Sequence, residues 1–451
     1  MRGKTTGLVS STASGKRPKS KPKELPSLFR SLRHRNFQLF FGGQLISLTG
    51  TWMQSVTQAW LVYKLTGSAV LLGLVGFSNQ IPVFLLAPWG GVVADRMNRR
   101  RILLATQTIA MILAFVLSAL TLFHRVQVSH LFVLSALLGI TNAFDIPARQ
   151  AFVVDMVGKE DLINAIALNS SMVNGARIVG PAVAGLLVAA VGEGWCFLIN
   201  AASYVAVLAG LLAMNVPVRP RLSRHTSTLA NIVEGFRYAG KKAPIRALLL
   251  LLGLVSLMGM PYAVLMPLFA DEVLHGGASG LGILMGASGI GALIGALTLA
   301  SRRGLRGLGR WVAISAAGFG VFLMLFSASR NFLLSAALLV PVGFFFMLEM
   351  AASNTLIQSM VTDELRGRVM AVYSMMFMGL APIGAVLAGI LAERMGAPRT
   401  IAIGGAFCVL GGGLFALRLP SLRDEARRLI VSQEMSGGNP PEEMTSENLS
   451  K

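Results

Sequence analysis

Two acids, two cations and a row of amides stand inside stretches that are otherwise apolar, and these are the residues that could do chemistry. Asn142, Asp145 and Arg149 share one helical face, Ser170, Asn174 and Arg177 share another, and Glu349 interrupts a third apolar run. Gln44, Ser47, Thr51, Gln54, Ser55 and Gln58 recur at i, i+3 and i+4 spacing, which predicts a polar stripe along one helix. Lipid cannot face so long a stripe, so it is expected to line a central cavity. An ionisable group buried in a membrane costs about 3 kcal/mol on insertion scales and needs a partner or water. For Asp145 and Glu349 two uses stand open: pairing as a gate, with Arg149 or nearby basic residues, or carrying a proton. Arg177 lies deeper in its run and is the leading candidate for a cavity charge, set against an anionic part of a ligand or an acid that shuttles protons. A structural pairing with Asp145 is the alternative.

Enzyme chemistry finds no comparable foothold. There is no Walker loop, HExxH pair or nucleophile elbow, and the five histidines are scattered, so neither a metal site nor another cofactor is expected. An integral membrane enzyme is the least favoured reading. Cys196 and Cys408 both fall in apolar runs, without disulfide or metal spacing, and are expected to pack.

The elements that must position these residues follow from composition. With 451 residues, 54% hydrophobic and 13% charged, and a mean hydropathy of +0.66, the chain has more apolar surface than one soluble core can bury. Apolar windows recur at 36–62, 68–92, 102–123, 131–153, 164–191, 195–215, 247–270, 279–300, 311–328, 332–356, 368–392 and 399–418. A hydrocarbon core of about 30 Å takes about 20 helical residues, which these windows supply as helices. A net charge of +20 would suggest nucleic acid in a soluble protein, but here the basic residues are sorted by side. Of the 40 Lys and Arg, all but Lys64, Arg125, Arg330, Arg394, Arg399 and the mid-span Arg177 fall on one face of a twelve-span threading. The positive-inside rule makes that face cytoplasmic, with both termini on it, and no nucleic-acid partner is expected. Residues 1–35 are basic and polar with no cleavable apolar run, so the first span is expected to be its own address.

Hydropathy collapses at 216–246 and divides the chain into a basic tail (1–35), a six-helix half (36–215), a linker, a second six-helix half (247–418) and a largely disordered tail (419–451). In the linker, Leu229, Ile232, Val233 and Phe236 oppose Arg237, Lys241 and Lys242, predicting an amphipathic helix along the inner leaflet. Displacing the chain on itself by 204 positions brings Gly175, Gly180, Ala184 and Gly185 onto Gly379, Gly384, Ala388 and Gly389, Gly91 onto Gly295, and Asp145 onto Glu349. Halves repeated with like topology imply a site at mid-membrane between two rocking bundles.

Two local patterns are specific. GVVADRMNRRR, Gly91 to Arg101, resembles the loop signature of the major facilitator superfamily through Gly91, Asp95, Arg96, Arg99 and Arg100, with Asn98 where a glycine is usual. Asn is the next best residue for a left-handed turn, so the departure is mild. Asp95 is expected to meet the positive end of a facing helix, and Arg99 an acid on a neighbouring helix, when the inner gate is shut. ARIVGPAVAG, Ala176 to Gly185, is similar to the antiporter motif of the same superfamily through Gly180, Pro181 and Gly185, and small residues at this spacing predict a tight seam. Much of residues 28–418 resembles the subgroup that includes enterobactin and macrolide exporters.

That resemblance implies an all-α membrane protein with the major facilitator fold, twelve helices around a central cavity, working as a monomer. It implies proton-coupled efflux of small amphiphilic compounds by alternating access at the cytoplasmic membrane. A facilitator or importer of the same fold is the runner-up. Ser135 and Thr51 stand where relatives often carry Arg and Asp, so these positions depart from the proton-coupling scheme that the resemblance implies. Met350, Met375, Met376, Phe344, Phe346, Tyr262 and their neighbours enrich the second half in soft apolar side chains, which suit varied ligands.

Overall fold

The computed structural model describes residues 27–158, 160–215, 228–302 and 304–436, all helices and short turns. The expected tail 1–26, the linker segment 216–227 and the end 437–451 lie outside the described residues. Six helices form the first half: α1 (Arg35–Thr66), α2 (Ala69–Arg96), α3 (Arg99–Leu122), α4 (Val128–Val157), α5 (Leu162–Val191) and α6 (Glu193–Ala213). The linker contains α7 (Thr228–Lys241). The second half comprises α8 (Ala243–Val273), α9 (Gly277–Ala300), α10 (Leu308–Ala328), α11 (Phe332–Met360), α12 (Glu364–Met395) and α13 (Ala397–Ser436). Among the described residues, 11 helices are long and apolar enough to cross a membrane. The twelfth is α1, 32 residues long and packed on α4, α5 and α6, whose polar stripe lowers its hydropathy. Helix α13 runs through Pro420 to Ser436, so 419–436 is helical and not the disordered tail that composition suggested.

Short turns make consecutive helices antiparallel, so the ends of α1 and α13 that lead to the two termini lie at one end of the bundle with α7. Before α1, a 3-10 turn at Ser27–Arg33 is pinned to the α4–α5 turn. Ser31 donates from its backbone N and its Oγ to Asn164 Oδ1 at 2.8 and 2.7 Å. Asp161 takes His34 Nε2 at 2.8 Å and Arg30 Nε at 2.7 Å. The hydrogen bond to His34, with Arg30 beside it, holds the Asp161 carboxyl below its usual 3.8. That contribution is present above the usual value and is lost only as pH falls through the lowered one.

Proline and small residues shape the second half. Pro261 and Pro267 leave α8 without two backbone donors, and the helix widens to π turns at Val255–Gly259 and Phe269–Val273 with a 3-10 turn between, as a broken hydrogen-bond ladder requires. Helix α12 widens likewise at Met375–Gly379.

The halves meet along two seams, α2 with α12 and α5 with α9. The 204-residue shift carries α2 onto α9 and α5 onto α12, so one seam is the repeat image of the other. Both are tight from mid-bundle to the end far from the termini. There a Cβ on Gly185 would stand 2.8 Å from Gly282 Cα, and one on Gly73 would stand 2.5 Å from the Ala385 carbonyl oxygen. Toward the termini a Cβ on Gly91, Gly175 or Gly367 would meet nothing within 4 Å, and a cleft lies between α2 and α12. Helix α7 lies under the start of α12, with Glu234 Oε1 at 2.6 Å from Arg368 Nη1. Gly235 and Ala239 form its buried face, while Val233 and Phe236 of the expected apolar face stay exposed.

Within the second half, a Cβ on Gly343 would sit 1.8 Å from the Ser288 carbonyl oxygen, a backbone atom that cannot step aside, whereas one on Gly413 meets nothing within 4 Å. Gly343→Ala should therefore destabilise the protein by about 2 kcal/mol and lower its melting temperature in detergent. Gly413→Ala should not, and equal melting of the two variants would contradict the packing described.

Candidate functional site

Lipid supplies no hydrogen bonds, so each polar side chain in the bundle must find its partner within it. Asp145 is the most completely provided for. Its Oδ1 accepts from Thr106 Oγ1 and Gln107 Nε2, both at 2.8 Å, and its Oδ2 lies 3.4 Å from Arg149 Nε. Arg149 Nη1 in turn donates to Gln44 Oε1 at 3.2 Å. This chain ties α1, α3 and α4 together and leaves Asp145 no spare oxygen. Asn142 lies half-buried a turn away. Of the two pairings open in the sequence for Asp145, the structure takes Arg149 and not Arg177.

Much of the stripe on α1, expected to line a cavity, is used in the same way, while Ser55 stays exposed. Gln44, Ser47 and Gln54 are buried. Asn200 Nδ2 donates to Gln54 Oε1 at 2.6 Å, Gln58 Nε2 donates to Ser135 Oγ at 2.6 Å, and Thr51 Oγ1 donates to the Ser47 carbonyl at 2.9 Å, with the Tyr204 hydroxyl 3.5 Å away. A hydroxyl on α4 and an amide on α6 thus satisfy α1 inside the first half. Asn174 turns back to the Ser170 carbonyl at 2.9 Å.

Arg177 and Glu349 stand apart from this economy. Among the described residues Arg177 has no hydrogen bond or ion pair; its Cζ lies 5.5 Å from the Trp52 ring centroid on α1 and 5.8 Å from that of Phe346 on α11. It therefore reaches from the first half to the second. Glu349, one turn along α11 from Phe346, has no exposed surface. Ser353 Oγ donates to its Oε1 at 3.2 Å, while Oε2 has no hydrogen-bond partner among the described residues. Neither the loop signature nor Arg149 reaches it.

The loop signature divides into used and unused residues. Arg99 Nη1 donates to the Ala151 carbonyl at 2.7 Å and to Asp155 Oδ2 at 3.1 Å on α4, and Arg100 donates to the Leu211 and Leu212 carbonyls at 2.7 and 2.9 Å. These cations cap the free carbonyl end of α6 and fasten α3 to α4. The Arg99 pairing lies within one half, so it is not a contact that parting the halves would break. Asn98 is extended (φ −69°) and caps α3 by accepting from the Arg101 backbone N at 3.3 Å, so no left-handed turn is needed there. Asp95 is 75% exposed, and among the described residues its one ion pair is with Arg99 at 3.7 Å. Arg96 is exposed too, and a Cβ on Gly91 would meet nothing within 4 Å. The helix N-terminus expected opposite Asp95 is not in contact.

At the far end the halves are latched. The Tyr63 hydroxyl donates to Asp271 Oδ2 at 2.9 Å, and Glu393 accepts from Ser68 Oγ and, at 3.3 Å, from the Val70 backbone N at the start of α2. Donors of the first half thus meet carboxylates of the second. In the antiporter-like stretch, Gly180 lets α5 close on Trp52 and Thr49 of α1, Pro181 sets its carbonyl oxygen 2.7 Å from where a Gly282 Cβ would lie, and Gly185 abuts Gly282 itself. Sequence reasoning missed Tyr63, Ser68, Asp271 and Glu393, whose partners are too distant in the chain. It also missed Gly282, although the run GASGLGILMGASGIG offered the spacing of a close-packed face. Toward the termini a cleft of about 480 Å³ opens between α2 and α12, walled by Val83, Phe84, Pro88 and Met375 with Glu364 and Arg368 among its lining.

Two six-helix halves joined tightly at one end and parted at the other, around unmatched charge at mid-bundle, define a membrane transporter of the major facilitator type. The chain belongs to the transmembrane secretion effector family, whose profile matches residues 26–446, in keeping with the signatures at Gly91 and Ala176. It is similar to the staphyloferrin A transporter of Staphylococcus aureus, 29% identical over 371 residues that cover 81% of this chain and 92% of that protein. The multidrug efflux pump Tap of Mycolicibacterium fortuitum is 26% identical over 385 residues, covering 83% and 93%. The enterobactin exporter EntS of Shigella boydii is 26% identical over 391 residues, covering 86% and 93%. Among solved structures, the nucleoside transporter NupG superposes with a TM-score of 0.66 at 16% identity, covering 86% of this chain and 98% of that one. An inward-facing, unoccupied bacterial homologue of the human lysosomal transporter Spinster superposes at 0.62 and 16% identity, covering 91% and 99%. At these identities the structural likeness is one of fold.

If Asp145 and Arg149 are a structural pair, removing the cation strands a buried carboxylate. Arg149→Leu should cost about 3 kcal/mol in melting measurements, and adding Asp145→Asn should recover most of the loss. A single variant as stable as the parent would remove the pair from the account.

Proposed function

We propose that this transporter works by alternating access as a proton-coupled exporter of small amphiphilic compounds, siderophores or drugs among them. It acts as a monomer in the cytoplasmic membrane with both termini inside. The observation that carries the reading is the asymmetry of the two seams: sealed by glycine contacts and the Tyr63 and Glu393 latches at one end, apart at the other. With the basic end cytoplasmic, this is an inward-open state. The uncommitted Gly91, Asp95 and Arg96 fit this view, since a contact that closes the inner gate must be absent when the gate is open.

Proton coupling is assigned to Glu349 and not to Asp145. A carboxyl able to gain and lose a proton needs an oxygen that is not already taken, and Glu349 Oε2 has no partner while both oxygens of Asp145 are engaged. The export direction is supported by the relatives that are named exporters and an efflux pump, and by the antiporter-like stretch on α5.

Uptake of a panel of siderophores and fluorescent amphiphiles into everted vesicles is the test. It should collapse when the pH gradient is dissipated, and Glu349→Gln should abolish the gradient-driven component. Accumulation in intact cells, or indifference to the gradient, would refute coupled export. Asp95→Asn should slow transport of the same compounds at least about tenfold, the loss of roughly one charge-assisted contact, with unchanged melting. A fully active variant would take Asp95 out of the gate.

A further inference from the structure

Arg177 is a cation that the fold has surrounded without neutralising. Its guanidinium lies against two rings, Trp52 and Phe346, that belong to different halves, and no acid among the described residues reaches it. Asp145 is taken by Arg149, and Glu349 by Ser353 alone. Cation–π contact stabilises the charge but leaves its planar fork of N–H donors unfilled.

The surroundings add a shape. Phe346 stands in a line of rings: Phe319 at 5.6 Å and Phe377 at 6.2 Å from its centroid, with Tyr262 edge-on to Phe319 at 6.1 Å. Tyr262 shares a hydrogen bond of 2.8 Å with Ser288, which fixes its ring within the broken turn of α8. The repeat shift puts Ala381 at the place of Arg177, so the cation has no counterpart in the second half and the fold's symmetry does not require it.

The geometry points to an anion site at Arg177 for compounds that carry a carboxylate or similar planar anion on an aromatic body. The anion fills the guanidinium fork, where a bidentate pair is favourable away from water. The aryl group lies against Trp52 and Phe377, the two rings of the set that keep exposed surface, while Phe346, Phe319 and Tyr262 are buried. Because those rings come from both halves, the occupant touches both and is released from one of them when the halves rock. This assignment rests on the proposed transport reading for its purpose, and names the substrate class of that same site.

Calorimetric binding to the purified full chain in nanodiscs, with no gradient present, separates the two claims: loss of proton coupling leaves it standing. The probes are 2-naphthoate and its neutral isostere 2-naphthamide. Wild type should prefer the naphthoate by at least about tenfold, the size of one charge-assisted hydrogen bond. Arg177→Gln should erase that preference while still binding the amide, and Arg177→Lys should keep part of it. Equal binding of the two probes by wild type, absence of binding, or an unchanged preference in Arg177→Gln would each overturn the assignment. If Arg177→Gln does not fold, the wild-type preference and its partial retention in Arg177→Lys decide the matter alone.

Discussion

A membrane interior gives a polar group nothing to bond to, and most of this structure is a consequence of that constraint. Backbone donors and acceptors are met by helices. Side chains are met by one another: Asp145 by Thr106, Gln107 and Arg149, Gln54 by Asn200, Gln58 by Ser135. The first half is therefore bound by a polar framework running through α1, α3, α4 and α6. Against this background the two charged groups without full partners among the described residues, Arg177 and Glu349, are conspicuous: Arg177 bridges the halves to Phe346 on α11, and Glu349 lies one turn along α11, buried within the second half.

Small residues supply the complementary constraint between halves. Apolar surfaces gain little by meeting inside lipid, so helix association depends on close backbone approach. Gly185 against Gly282 and Gly73 against Ala385 provide it at the far end, and the carboxylates of Asp271 and Glu393 add directional bonds there. A seam made of short, local contacts can separate without disturbing the polar framework inside either half. That division between a rigid half and a breakable seam is what rocking needs.

The helices and their number were legible because span length and charge sorting are strong one-dimensional signals. The repeat was legible because glycines at close helix contacts cannot be exchanged freely, so Gly180, Gly185, Gly384 and Gly389 keep one shift. What each polar residue does was not legible. The α1 stripe has the periodicity of a cavity wall, yet periodicity states only which side a residue faces, and α4 and α6 stand on that side. Asn98 likewise occupies a glycine position but serves as a helix cap. The latch pairs, Tyr63 with Asp271 and Ser68 with Glu393, are separated by 208 and 325 residues, and nothing local in one member announces the other. Arg177 was readable as a deep charge, but its ring partners Trp52 and Phe346 come from different halves and emerge only on folding.

The central claim is that the far-end seam must open for transport. Replacing Ser68 and Glu393 with cysteine places two thiols across it, and the native Cys196 and Cys408 are buried. A short bifunctional thiol reagent that joins the two positions should stop transport, and cleaving the link should restore it. Transport at the parent rate with the link intact would contradict the account.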